Sequence, residues 1–216
     1  MSRNADWARR DLSVLWHPCT QMKDHEAWPP IPIESAEGVW LQDFEGKRYI
    51  DAISSWWVNL FGHRHPALNA AIQHQIERLD HVLLAGFTHE PVIRLSEALI
   101  EVAPEGLERC FYADNGSSAI EVALKMSHHA WRNQGHPEKT LFVTLENSYH
   151  GETLGALAVG DVPLYRETYR PLLMETIRVK SPDAYPRPPG ISEEEQAREA
   201  FKAMEAVLEQ HAHKIA

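Results

Sequence analysis

The chain has 216 residues and a formal net charge of −10 with no long basic run, so it is long enough to bury a core as one or two domains but has no positive face for neutralising phosphates, which argues against a nucleic-acid partner. Its two cysteines, Cys19 and Cys110, are too few for a disulfide framework and fit a reducing compartment. No charged segment followed by an apolar run opens the chain, and no apolar stretch is long enough to span a bilayer, so the expectation is a cytoplasmic protein with no membrane partner.

In chain order, 9–22 is expected to be irregular with one short helix, packed on something through Trp16 and His17-Pro18. Pro29-Pro30 and Pro32 force extended backbone. From Val39 to Asp51 the pattern alternates and breaks at Glu45-Gly46, which predicts a hairpin with Asp43, Glu45 and Asp51 as hairpin and turn residues. Pro66 suits the first turn of a helix, and Leu68, Ile72, Ile76 and Leu79 recur at helical spacing behind it. Pro91 opens a second helix, with Val92, Leu95, Leu99 and Val102 on one face and a stop at Pro104-Glu105-Gly106. A strand is expected over 109–113. A helix follows, burying Ile120, Leu124 and His128 and ending near Gly135. A strand over 141–146, a closely packed helix of small residues over 153–160 and a short strand over 176–179 come next. A proline-rich surface loop over 182–190 leads to a capping box, Ser192 with Glu195, and a last helix with Ala197, Phe201, Met204 and Leu208 on one face. The alternation of strand and helix from Arg109 onward predicts a parallel α/β sheet behind a smaller α+β lobe. Thirteen histidines raise the question of a metal, but His128-His129, His211 and His213 lack the spacing of a metal site, and exposed helix histidines account for them.

The segment Phe111-Tyr112-Ala113-Asp114-Asn115-Gly116-Ser117-Ser118 carries the chemistry. Gly116 lets backbone turn sharply or approach a ligand, and Ser117 and Ser118 set hydroxyls beside the unbonded N–H groups of a helix start, where an anion is favoured. Tyr149-His150-Gly151-Glu152-Thr153 follows the next strand and adds an aromatic ring. Together they suggest a flat, phosphorylated cofactor; the plain alternative is an ordinary capped helix.

Three further segments complete a pattern: Trp16-His17-Pro18-Cys19-Thr20, the hairpin from Gly38 to Asp51, and Ser54-Ser55-Trp56-Trp57-Val58-Asn59 running to His65-Pro66. With the two motifs above, the chain from about Leu15 to its last residue resembles the class III, pyridoxal-phosphate-dependent aminotransferases. The resemblance implies the type I fold of pyridoxal-phosphate-dependent transferases, here a small N-terminal α+β lobe (1–65) and the first part of the large parallel-sheet cofactor domain (66–216). It implies that pyridoxal 5'-phosphate is held by Gly116 and Ser117 at its phosphate and by Tyr149 at its ring. Trp56 and Tyr149 would border the substrate, with Trp57 as packing, and Cys19 stands where many relatives carry a tyrosine that stacks on substrate. Extended backbone at the tryptophan pair would send its side chains to opposite faces. Glu152 stands where an aspartate is common.

Trp56-Trp57 and His17-Pro18 favour the branch that serves biotin synthesis, which implies S-adenosylmethionine as amino donor, 8-amino-7-oxononanoate as acceptor, and a homodimer. An ω-amino acid substrate, or a noncatalytic phosphate-binding module, are the alternatives. The family's Schiff-base lysine and the aspartate on the pyridine nitrogen are expected beyond Ala216. Lys125, Lys139 and Lys180 are not their equivalents, so no catalytic residue is expected in this chain and none of its activity in these residues alone.

Overall fold

Ser2 begins the first helix by accepting the Ala5 N–H on its hydroxyl at 3.2 Å. In the computed structural model, which describes residues 2–183, 185 and 187–216, α1 (Arg3–Val14) therefore starts ahead of the 9–22 segment expected to be irregular with one short helix. Trp7 stacks on Phe44 with ring centroids 5.5 Å apart, and the Arg3 guanidinium lies over the same Phe44 ring and donates to the Phe44 carbonyl at 3.1 Å. A 3-10 turn (Met22–Glu26) follows. The extended stretch after the prolines becomes β1 (Ile33–Glu37), an element that sequence reasoning left without a partner; it pairs antiparallel with β2 (Trp40–Asp43), Glu37 opposite Trp40.

The expected hairpin is present: β2 pairs antiparallel with β3 (Arg48–Ile50), Leu41 opposite Tyr49. Its turn is built around Asp43, which is 1% exposed. One carboxylate oxygen accepts the N–H groups of Glu45 and Lys47, each at 2.9 Å, and the other accepts the Tyr49 hydroxyl at 3.0 Å. Burial pushes this carboxyl up, but the Glu45 and Lys47 amides and the Tyr49 hydroxyl outweigh it and hold it below the ordinary carboxylate value. A single helical turn, α2 (Ser54–Trp57), leads to α3 (Pro66–Ile76), with proline in its first turn, and to α4 (Glu90–Val102). α3 stops short of the expected Leu79, and its Leu68, Ile72 and Ile76 are exposed.

The chain divides into two compact units, Met1–Leu95 and Ser96–Ala216.

In the second unit, the strand expected over 109–113 does not form. A strand exists by hydrogen bonding to a neighbour, and this segment enters no ladder among the described residues. It leads directly into α5 (Gly116–Asn133), which stops two residues ahead of Gly135, at φ +88°, and half-buries Ile120, Leu124 and His128 as expected. β4 (Phe142–Leu145), α6 (Leu154–Val159), α7 (Pro163–Arg166), a 3-10 turn (Glu167–Leu172) and β5 (Thr176–Val179) form a crossover unit, and β4 and β5 pair in parallel with Phe142 opposite Thr176. The small residues of α6 explain its depth: Ala156, Leu157, Ala158 and Val159 are buried, and the Thr144 hydroxyl of β4 donates to the Val159 carbonyl.

Residues 184 and 186 of the expected proline-rich loop lie outside the described residues. In α8 (Glu193–His211), Ser192 accepts the Glu195 N–H at 3.1 Å, the forward half of the expected capping box. Ile215 then bridges Leu141 in parallel, and the Lys139 ammonium lies over the Trp131 ring and donates to the Ile215 carbonyl at 2.9 Å. No described helix is long and apolar enough to cross a membrane, and no cluster of three metal-ligating side chains occurs among the described residues.

Candidate functional site

The N-terminus of α5 is capped by Asn115, whose side-chain oxygen accepts the Ser118 N–H at 2.9 Å while its carbonyl accepts the Ala119 N–H at 3.0 Å. The Ser118 hydroxyl turns back to Asp114 and, with the local amides, holds that carboxyl below its ordinary value. This leaves the N–H groups of Gly116 and Ser117 without a partner among the described residues, at the positive end of an 18-residue helix. Gly116 is not needed for its backbone angle, since its φ is not positive. A Cβ there would meet nothing within 4 Å, so the surface beside these two donors stands open to a ligand.

Ser117 joins the two motifs. Its Oγ accepts the Glu152 N–H at 3.2 Å, from 35 residues further along the chain. Gly151, with φ +119°, makes the approach possible: a Cβ on it would lie 1.8 Å from Ser117 Oγ and 3.0 Å from Ser117 Cα. The Ser117 hydroxyl accepts from the loop, and its own proton remains to be donated. The Tyr149 hydroxyl donates to Glu152 Oε1 at 3.3 Å, its ring meets Tyr165 edge-on at 6.0 Å, and the side chain is more than half exposed. Glu152, left without a role by sequence reasoning, thus holds both ends of the loop: its amide on Ser117 and its carboxylate on Tyr149.

Glu121 was also missed. The Thr153 N-cap of α6 supplies no side-chain cap, so the first amides of that helix need an acceptor from elsewhere. Glu121, one turn into α5, supplies it: Oε1 accepts the Gly155 N–H at 2.7 Å and the Ala156 N–H at 3.2 Å. The Thr153 hydroxyl first, and then these amides against the effect of burial, hold the carboxyl below its ordinary value. α5 is thereby stapled to α6, with the Tyr149–Thr153 loop fixed between. Glu121→Ala is expected to cost about 1.5–3 kcal/mol of stability, the range for hydrogen bonds to a charged group. Because the folded pKa is depressed, this contribution is present above the unfolded value of about 4.3 and is lost as pH falls through the lower folded value. Melts of wild type and variant should therefore differ at pH 7 and converge in acid; equal melts at pH 7 would contradict the assignment.

In the first unit, Trp56 and Trp57 do not lie on extended backbone. Ser54, Ser55, Trp56 and Trp57 all have positive φ, from +48° to +67°, so the expectation that the pair alternates between two faces is corrected. Four consecutive left-handed residues without glycine are costly, about 1–2 kcal/mol each. The turn persists because its polar groups are bonded. Asp51 Oδ1 accepts the Ser55 N–H at 2.9 Å and Oδ2 the Ser55 hydroxyl at 2.7 Å; the Trp57 N–H reaches the Ile53 carbonyl at 2.8 Å. The Ser55 amide, the Ser55 hydroxyl and His63 hold the Asp51 carboxyl below its ordinary value. Trp56 is 55% exposed. Cys19 is also exposed, its thiol free and its φ +55°. Nearby, His17 bonds Asp11 at 2.6 Å and meets the His25 ring edge-on. Neither a hydrogen bond nor a ring contact joins Cys19 to Trp56 among the described residues.

Residues 21–216 match the family model of aminotransferase class III. In structure the chain is similar to the adenosylmethionine-8-amino-7-oxononanoate aminotransferase of Methanocaldococcus jannaschii, with a TM-score of 0.85 and 32% identity over 98% of this chain and 45% of that one. It is also similar to an omega transaminase from Pseudomonas jessenii in complex with PMP, with a TM-score of 0.87 and 28% identity over 100% of this chain and 48% of that one. The fold is therefore part of the α/β type I fold of pyridoxal-phosphate-dependent transaminases. The chain belongs to the class III aminotransferases, a family that depends on pyridoxal phosphate. In sequence it is 46% identical over 217 residues to the adenosylmethionine-8-amino-7-oxononanoate aminotransferase of Helicobacter pylori, covering 100% of this chain and 47% of that protein. The chain thus spans about half the length of the curated relatives it matches.

Proposed function

We propose that the protein carrying this chain transfers an amino group from S-adenosylmethionine to 8-amino-7-oxononanoate, giving 7,8-diaminononanoate in biotin synthesis. The observation that carries the reading is the meeting of two distant motifs at Ser117, in a chain matched end to end by a relative named for that reaction. Bound pyridoxal phosphate supplies the electron sink that transamination needs. The residues present suit it: the amides of Gly116 and Ser117 and the Ser117 proton would hold the phosphate, and Tyr149, steadied by Glu152 and Tyr165, would lie against the ring. Trp56 would wall the substrate pocket with a large apolar surface and one N–H donor, which suits a long aliphatic amino-ketone. Cys19 would line the same substrate region with a small thiol in place of a stacking ring.

On this reading none of Lys125, Lys139 and Lys180 takes the covalent role. Lys139 is committed to Trp131 and to the carbonyl of Ile215, and Lys125 projects from α5. On this reading the covalent lysine lies outside the 216 residues, which alone would not transaminate; borohydride-trapped cofactor on a single lysine of this chain would contradict that. The same reading makes the enzyme a cytoplasmic homodimer with Cys19 and Cys110 as free thiols. A second reading, transfer from an ω-amino acid, is favoured by the likeness to the Pseudomonas jessenii omega transaminase, at lower identity.

Trp56→Ala separates the two readings. In the holoenzyme it should lower kcat/KM for the amino-ketone by about tenfold to a hundredfold, a loss of about 1.5–3 kcal/mol for a partly exposed aromatic wall, and leave cofactor affinity near wild type. A larger loss from Trp57→Ala would assign the wall to the other indole. No loss from either, with good turnover of ω-amino acids, would favour the second reading.

A further inference from the structure

We infer that Asp51 is a positioning residue for substrate: by holding the Ser54–Trp57 turn left-handed, it sets where the Trp56 indole stands. The inference rests on the reading of Trp56 as the pocket wall.

The backbone of the turn is the conformation that L-residues with bulky side chains avoid, and Trp56 at φ +67° and ψ +45° stands in its middle. Nothing intrinsic to a Ser-Ser-Trp-Trp sequence selects that state, so an outside group must. Asp51 is that group. It takes both the amide and the hydroxyl of Ser55, the residue just before Trp56, with its two oxygens. It is itself bolted down. Its amide donates to the Val39 carbonyl at 2.9 Å, and its Oδ2 meets His63 Nε2 at 2.8 Å, both side chains being largely buried.

His63 in turn is pinned to Gly38, at the turn joining β1 to β2, by a reciprocal pair of backbone bonds of 2.8 and 3.0 Å. Gly62, with φ +79°, lets that backbone close in, since a Cβ there would lie 3.0–3.2 Å from Gly38. A rigid line therefore runs from the three-stranded sheet through Gly38, His63 and Asp51 to Ser55 and the indole. A side chain used only for packing would not need its backbone fixed in a disfavoured state by a buried carboxylate; one that must face a substrate at a set angle would.

The test is a double-mutant cycle in the holoenzyme with Asp51→Asn and Trp56→Ala, reading kcat/KM for 8-amino-7-oxononanoate and the pyridoxal phosphate dissociation constant. Asp51→Asn keeps the shape but turns one acceptor oxygen into a donor facing Ser55 or His63. It should lower kcat/KM about tenfold with cofactor affinity unchanged, and should add less than twofold once Trp56 is already alanine. Losses that multiply independently in the double variant would overturn the inference, because Asp51 would then act other than through Trp56. So would an unchanged kcat/KM in Asp51→Asn while Trp56→Ala is impaired, an outcome that leaves the functional reading intact. An unimpaired Trp56→Ala would sink that reading and this inference with it. Should Asp51→Asn fail to fold, Ser55→Ala removes one bond to the same carboxylate, and a loss that vanishes in the Trp56→Ala background is again the expected result; an independent loss again overturns it.

Discussion

Gly151→Ala in the holoenzyme is expected to weaken pyridoxal phosphate binding by about thirtyfold to a thousandfold, or about 2–4 kcal/mol. The new methyl group would sit 1.8 Å from Ser117 Oγ and 2.7 Å from Ser117 Cβ, so the loop and the start of α5 could not keep their present approach. Overpacking of this kind typically costs about 1–3 kcal/mol, and the residue would also hold a φ of +119° that a side chain disfavours by about 1–2 kcal/mol more. The damage should fall on the cofactor, because the amides of Gly116 and Ser117, the Ser117 proton and the Tyr149 ring are held in one arrangement by that contact. An absorbance titration with cofactor reports the affinity, and a melt of the cofactor-free variant shows whether it still folds. A folded variant with wild-type affinity would mean that the junction does not shape the cofactor site.

Ser117→Ala is the milder and more specific change. It removes the acceptor for the Glu152 amide and, on the proposed reading, the proton that would be donated to the phosphate, and leaves the backbone of α5 in place because Asn115 caps it independently. Cofactor affinity should fall by about 1.5–3 kcal/mol, roughly tenfold to a hundredfold and more. Ser118→Ala serves as the contrast, since that hydroxyl turns toward Asp114 and should matter little to the cofactor. Equal losses from both serines, or no loss from Ser117→Ala, would show Ser117 to be an ordinary helix-start residue.

Much of this was legible in the sequence because the signals are local. Pro66 and Gly135 punctuate helices, Glu45-Gly46 marks a hairpin turn, and the small residues of 153–160 announce a helix packed against neighbours. Gly116, Ser117 and Tyr149 were grouped through the resemblance to the class III aminotransferases; residue type and spacing alone fit an ordinary capped helix as well. What was hidden depends on contacts distant in sequence. The strand expected over 109–113 has a strand-like Phe111-Tyr112 pair and still takes no ladder partner among the described residues. Glu121 looks like any exposed helix acid until α6 is seen to lack its own cap. Gly151 resembles a routine loop glycine until a Cβ is built against Ser117. The left-handed turn at Trp56 could not be read at all: serine and tryptophan carry no preference for it, and the reason lies in Asp51 and His63, each placed by a different part of the first unit.

The most direct test of the account is to supply the holoenzyme with S-adenosylmethionine and 8-amino-7-oxononanoate and to quantify 7,8-diaminononanoate, beside a parallel reaction in which an ω-amino acid replaces the donor. The account predicts product with S-adenosylmethionine, lost in step with cofactor occupancy in Gly151→Ala. Absence of that product from a fully cofactor-loaded enzyme, with steady turnover of the ω-amino acid, would contradict it.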